Sequence, residues 1–266
     1  MSRCEESILR RMIVAAGNDM GLVRLHRLSE LQRYTICATD GEIGAVQEAQ
    51  FDDRDWAVRY FLARAGNWYS GRSVLISTIA LDEIDDVTRV LHVQLARIQI
   101  MESPPLTGEG PVNRQYEAEF FRYYGWPPYW QSSPPAAPNL PLESRSPAEP
   151  APPPEPAEHL RSTHEIQGYR IAAADGEIGH LSDVIIDEKT WLLTYLVIDI
   201  RSWLAGRYVL LNPAWIKAID WRNGSLVTDL RREAIQTAPV YDADNAVDRN
   251  YEIRLFEHYA RKKYWE

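Results

Sequence analysis

A mainly β protein is predicted, made of two small barrels that are each followed by a short C-terminal helix with an aromatic face. Three features carry this: an internal repeat, strand-length apolar runs punctuated by Asp-Gly and Asn-Gly turns, and a helical period at the end of each copy. The repeat comes first. Asp40-Gly41-Glu42-Ile43-Gly44 returns unchanged as Asp175-Gly176-Glu177-Ile178-Gly179, an offset of 135 residues (175 less 40). The same offset carries Tyr34 onto Tyr169, Trp56 onto Trp191, Tyr60 onto Tyr195, Trp68 onto Trp203 and Gly71-Arg72 onto Gly206-Arg207. It continues through Arg114 and Tyr116-Glu117 onto Arg249 and Tyr251-Glu252, and ends with Tyr129-Trp130 on Tyr264-Trp265. The copies align without a gap, which divides the chain into an extension (1–29), a first unit (30–130), a linker (131–164) and a second unit (165–266).

The linker is called from its prolines, among them Pro134-Pro135 and Pro152-Pro153-Pro154. Proline lacks the amide donor and fixes φ, so such a tract neither joins a sheet nor continues a helix. In extended form it gains ~3.1 Å per residue and acts as a spacer between the units.

Within the second unit, Tyr169–Ala173 precedes an Asp-Gly turn and the run Glu177–Asp187 follows, a hairpin signal because Asp-Gly supplies positive φ. Leu192–Ile200, Tyr208–Leu211, Trp215–Trp221 and Leu226–Leu230 complete five or six strands, with Asn223-Gly224 as a further turn. That number of short strands closing on themselves fits a small barrel. Tyr251, Leu255 and Tyr259 then recur every fourth residue, as do Tyr116, Phe120 and Tyr124 in the first unit, each marking one face of a helix.

Composition narrows the function classes. With 45% hydrophobic residues the 266-residue chain has material for a core, and 29 Lys+Arg against 38 Asp+Glu give a net charge of -9, which argues against nucleic acid as partner. The most apolar stretch, Trp191–Ile200, falls well short of the ~20 residues of a spanning helix. Peripheral association with a membrane stays open. Two cysteines, Cys4 and Cys37, are too few for a disulfide scaffold or a Cys-rich zinc site, and the start has no secretory pattern, so a cytoplasmic protein is expected.

Taken in order, the Asp-Gly-Glu-Ile-Gly turns, Trp203-Leu204-x-Gly206-Arg207-x-Val209-Leu210-Leu211-x-Pro213, Leu226-x-Thr228-x-Leu230-x-Arg232 and the Tyr-Glu helix resemble the PRC-barrel superfamily. That family is named for the cytoplasmic domain of the photosynthetic reaction centre H subunit. The ending from Arg114-Gln115-Tyr116-Glu117 to Tyr129-Trp130 is similar to stand-alone bacterial members of the reaction-centre H-like type. The resemblance implies β-barrels used for assembly or interaction, and it brings no catalytic residues and no cofactor.

Candidate residues follow from that reading. The carboxylates of Asp40 with Glu42, and Asp175 with Glu177, offer a pair for a cation or ligand, but Asp40, Gly41, Asp175 and Gly176 are read first as turn formers. None of the six histidines stands at a metal-pair spacing; His159 and His164 are read as solvated. Among nine Trp and fourteen Tyr, Trp68 and Trp203 in predicted turns, and the terminal Tyr129, Trp130, Tyr264 and Trp265, are the candidate interaction residues. The surface they cover is the chain's own barrel, the other copy or another chain, with pairing of the two barrels or a homodimer among the outcomes. The expected function is a non-enzymatic interaction or assembly module. The alternatives are a peripheral reaction-centre H-like regulator of a photosynthetic or electron-transfer complex and a small-ligand or cation binder using the Asp-Gly-Glu turns.

Overall fold

The structure, a computed structural model, describes residues 3–7, 24–66, 72–106, 112–130, 159–200, 207–245 and 247–265. The first unit runs β1 (Leu25–Arg27), α1 (Leu28–Leu31), β2 (Thr35–Ala38), β3 (Gly41–Asp52), β4 (Ala57–Ala65), β5 (Ser73–Ser77), β6 (Leu81–Asp85), β7 (Val90–Val93), α2 (Arg97–Met101) and α3 (Arg114–Tyr124). The second repeats it as β8 (Leu160–Ser162), α4 (Thr163–Ile166), β9 (Arg170–Ala173), β10 (Gly176–Asp187), β11 (Leu193–Asp199), β12 (Tyr208–Leu211), β13 (Ile216–Asp220), β14 (Ser225–Thr228), α5 (Arg232–Gln236) and α6 (Arg249–His258).

The two sheets have seven strands each, in the orders β5-β4-β3-β2-β7-β6 and β12-β11-β10-β9-β14-β13, the seventh strand lying off each path. These orders correspond strand for strand under the repeat. Pairing is antiparallel except for β2 with β7 and β9 with β14. Closed barrels were expected; no pairing between β5 and β6, or between β12 and β13, completes the ring among the described residues. Those two edge strands are joined by only a three-residue 3-10 turn, Thr78–Ala80 or Pro213–Trp215. The long β3 and β10 each carry two register shifts, against β4 and β11, irregularities of the kind that bend a strand.

The off-path strands alter the expected boundaries. β1 pairs with β10, setting Leu25 opposite Asp187 and Arg27 opposite Ile185. β8 pairs with β3, setting Gln50 opposite Ser162 and Asp52 opposite Leu160. Each unit's leading strand therefore completes the other unit's sheet. Residues 25–29, assigned to the extension, and 160–164, assigned to the linker, are strand and helix belonging to the repeat. The signal was weak because Leu25-His26-Arg27 and Leu160-Arg161-Ser162 share only their leucine. Residues 131–158 of the expected linker lie outside the described residues.

A single apolar core runs through both units, from Ile36, Phe51 and Phe61 to Tyr195, Leu210 and Leu255. A second cluster packs α3 on the first sheet through Tyr60, Leu75, Val112, Phe120 and Phe121, and takes in Leu160 of β8. The C-terminal helices start where Asn113 and Asp248 accept hydrogen bonds from the amides of Tyr116 (2.8 Å) and Tyr251 (2.7 Å). Gly125, in the left-handed region at φ 68°, ends α3.

Candidate functional site

On each unit the aromatic helix is fastened by one buried carboxylate. Glu117 is fully buried; its Oε1 accepts from the hydroxyls of Tyr60 (2.8 Å) and Tyr129 (2.9 Å), and its Oε2 lies 2.9 Å from the Arg114 guanidinium. Glu252 accepts from Tyr195 (2.7 Å) and Tyr264 (2.8 Å) and pairs with Arg249 at 2.8 Å. Burial pushes the Glu117 carboxyl up, against the pull of Arg114 and the two hydroxyls, and burial beside the carboxylate raises the Tyr60 phenol. Trp130 and Trp265 close these nests, each under a guanidinium, Arg114 or Arg249, at 4.2 Å. The terminal pairs Tyr129-Trp130 and Tyr264-Trp265 are thus half-buried on their own units, against Phe121 and Phe256. Trp68 and Trp203 lie outside the described residues.

The Asp-Gly turns have a different geometry from the one predicted. Ala38 pairs with Gly41, so the two-residue loop is Thr39-Asp40, and Gly41 opens β3 at φ 142°. Ala173 pairs with Gly176 in the same way. Asp40 Oδ1 accepts from the Arg97 amide at 2.8 Å, and Asp175 Oδ1 from the Arg232 amide at 2.8 Å, so each turn carboxylate satisfies a free donor at the start of a short helix. Glu177 is exposed and pairs with Arg170 at 2.9 Å. Among the described residues no group of three or more His, Cys, Asp or Glu is arranged to hold a metal.

What the sequence did not show is how the units meet. Val58 donates to the Trp191 carbonyl (2.8 Å) and Leu193 to the Trp56 carbonyl (2.9 Å), a reciprocal pair about the Ala57–Leu192 bridge. Around it Glu48 corresponds to Asp183, His26 to Arg161 and Asp53 to Glu188 under the repeat offset, whereas Ser29 and Ser162 stand two positions out of register. Ser29 donates to Asp183 (2.5 Å) and Ser162 to Glu48 (2.7 Å); His26 meets Glu188 (2.8 Å) while Arg161 meets Asp53 (3.8 Å). His159, read as solvated, lies 3.0 Å from Asp53. Burial raises the Asp183 carboxyl, opposed by the Ser29 hydroxyl and the amides of Val184 and Ser29. Repeat-related pairs, Ser29 with His164 and Glu48 with Asp183, line a cavity of ≈ 40 Å³, room for little more than water.

The two sides of this junction differ. Arg161 stacks on Trp221 at 4.2 Å, filling one side. The repeat equivalents are His26 and Asp86, 3.5 Å apart, and there a cleft of ≈ 500 Å³ opens between Arg24, Arg27, Glu30, Tyr34 and Tyr241. Burial raises the Tyr241 phenol to about 12 in spite of Arg27.

Surface composition differs as well. Ile79, Val87, Ile98, Met101 and Tyr123 are exposed in the first unit, whereas the second exposes Val240 among its large hydrophobic residues described. The repeat equivalents of Ile98, Met101 and Tyr123 are Glu233, Gln236 and His258. The Tyr123 hydroxyl donates to the Gln99 carbonyl at 2.9 Å, which sets its ring beside α2, where Ile98 and Met101 share a helical face.

The cysteines correct the sequence reading. Cys4 and Cys37 form a disulfide, their Cα atoms 5.8 Å apart, where no disulfide was expected. Two cysteines 33 residues apart carry no pairing signal by themselves; residues 3–7, read as part of the extension, bring them together.

Comparison with known families places this geometry. The PRC-barrel domain model matches residues 158–235, from β8 into α5. The second unit therefore contains a PRC-barrel domain, and the strand its match begins with is the one lent to the first sheet. No curated protein matches the chain.

Proposed function

We propose that the chain is a non-enzymatic protein-interaction module built from two PRC barrels that pair with each other, with the first barrel turned toward a protein partner. The first unit is included because its strand order and its Tyr-Glu-Arg clamp repeat those of the matched unit. The observation that carries the reading is the apolar surface of the first unit. The second unit serves as an internal control for what the fold requires, and it has Glu233, Gln236 and His258 where the first exposes Ile98, Met101 and Tyr123. Exposed apolar side chains gathered on one of two like units mark an interaction site better than scattered ones do.

The test exchanges those residues. Full-length protein carrying Ile98→Glu, Met101→Gln and Tyr123→His keeps the fold and loses the partner captured by the unaltered chain from its native cell. Retention of the same partner overturns the reading. Reproducible turnover of a substrate would end the non-enzymatic part. A cytoplasmic location belongs to the proposal and is tested by fractionation. No described helix is long and apolar enough to cross a membrane. A partner recovered in a membrane-bound electron-transfer complex would turn the reading into that of an H-like regulator.

A further inference from the structure

Residues 3–7 are helical and sit on the outer side of the first sheet. Cys4 is bonded to Cys37 in β2, and both packed against Val90 of β7. Ser7, fully buried, lies 2.6 Å from Asp85 Oδ2 and 2.7 Å from His92 Nε2. A hydroxyl has one proton; given to Asp85, it leaves His92 Nε2 as the donor to Ser7. The segment is therefore a small cap whose contacts include a covalent bond and a hydrogen-bonded relay.

The second unit shows what this cap covers. It has Ala172, Ser225 and Val227 where the first has Cys37, Val90 and His92. Ala172 and Val227 are half-buried, whereas Cys37 and Val90 are fully buried and His92 is 4% exposed. The same strands, β2 with β7 and β9 with β14, thus have a covered outer face in one unit and a partly open one in the other.

We propose that the Cys4–Cys37 disulfide is a redox latch that holds residues 3–7 over the outer face of β2 and β7, and that its reduction by a dithiol frees this cap and opens the face around Cys37, Val90 and His92. The S–S bond takes up two electrons and two protons to give two thiols, while the dithiol closes to its own disulfide. So short a helix has no stability of its own. Without the covalent tie the Ser7 relay and the segment's remaining noncovalent contacts must oppose the chain entropy that the crosslink had removed. The inference is independent of the interaction reading above.

The test uses the full chain. As purified under air and unfolded in urea, it should show no reactive thiol, and two after dithiothreitol. Under native conditions, reduced protein and a Cys4→Ser variant should both react with N-ethylmaleimide at Cys37 within about tenfold of the rate in urea. The near-ultraviolet circular dichroism should keep its folded form. The latch is overturned by free thiols in the air-exposed protein. It is equally overturned if Cys37 stays more than a hundredfold protected once reduced, or if reduction abolishes the folded spectrum.

Discussion

Ala57 and Leu192 face each other across an antiparallel bridge that joins the two units, flanked by hydrogen bonds from Val58 to Trp191 and from Leu193 to Trp56. Both tryptophans are in the left-handed region, at φ 59° and 55°, which costs a bulky residue of order 1–3 kcal/mol. Their rings offset that cost by packing, Trp56 stacked on Phe51 at 5.4 Å and Trp191 edge-on to Phe61 of the other unit at 5.6 Å. With β1 and β8 exchanged on either side, the units bury against each other the strand edges that would otherwise invite foreign pairing.

It follows that the covalent connection between the units is dispensable once they have folded. Cutting the folded chain at a protease site placed within residues 131–158 should leave the halves together at the elution volume of the intact protein. Separation into two half-size species at micromolar concentration would mean that the exchanged strands contribute little.

The exchange also predicts where a mutation in one unit is felt. Leu160 leads the second unit but is buried among Tyr60, Leu75, Phe120 and Phe121 of the first. Leu160→Ala should cost about 2–4 kcal/mol, as for other buried leucines. Hydrogen exchange should then accelerate in β3 and β4 more than in β10 and β11. The opposite order would show that β8 belongs to its own unit's sheet.

Much of this was legible in the sequence because the repeat states it twice. The offset located the matching strands and the C-terminal helices, and the glutamates of the Tyr-Glu pairs turned out to be the centres of the clamps at Glu117 and Glu252. Positions where the copies diverge were not legible. β1 and β8 are three residues long with one shared leucine, and a strand lent across a junction has the same local pattern as one kept at home. The turn was shifted by one residue because Asp-Gly was read as its centre. The aspartate's partner is an amide 57 residues away, which no local pattern reveals.

The second glycine of the repeated motif is predicted to be the strictest. A Cβ on Gly179 would come 2.3 Å from the Asp199 carbonyl oxygen, with φ at +64°. On Gly125, at φ +68°, it would meet nothing within 4 Å. Gly125→Ala should therefore cost about 1 kcal/mol from backbone conformation alone. Gly179→Ala should cost more than about 3 kcal/mol, since backbone must move. Urea midpoints for the two variants test this, and equal losses would refute it.

Acid should weaken the first unit through Asp85. Burial raises this carboxyl, but the hydroxyls of Ser7 and Thr88 and the amides of Thr88 and Val87 outweigh it and bring it from 3.8 down to about 2. A folded value below the unfolded one means that the folded state gives up the proton more readily. The stabilisation is therefore complete above pH 3.8 and is lost as the pH falls toward 2. Because the carboxyl is only half-buried, solvent screening reduces its contribution to about 1 kcal/mol. The stability difference between the unaltered chain and Asp85→Asn should accordingly shrink by about that amount between pH 5 and pH 2.5. A difference that is the same at both pH values would show that the carboxylate charge is not what Ser7 and the turn amides hold.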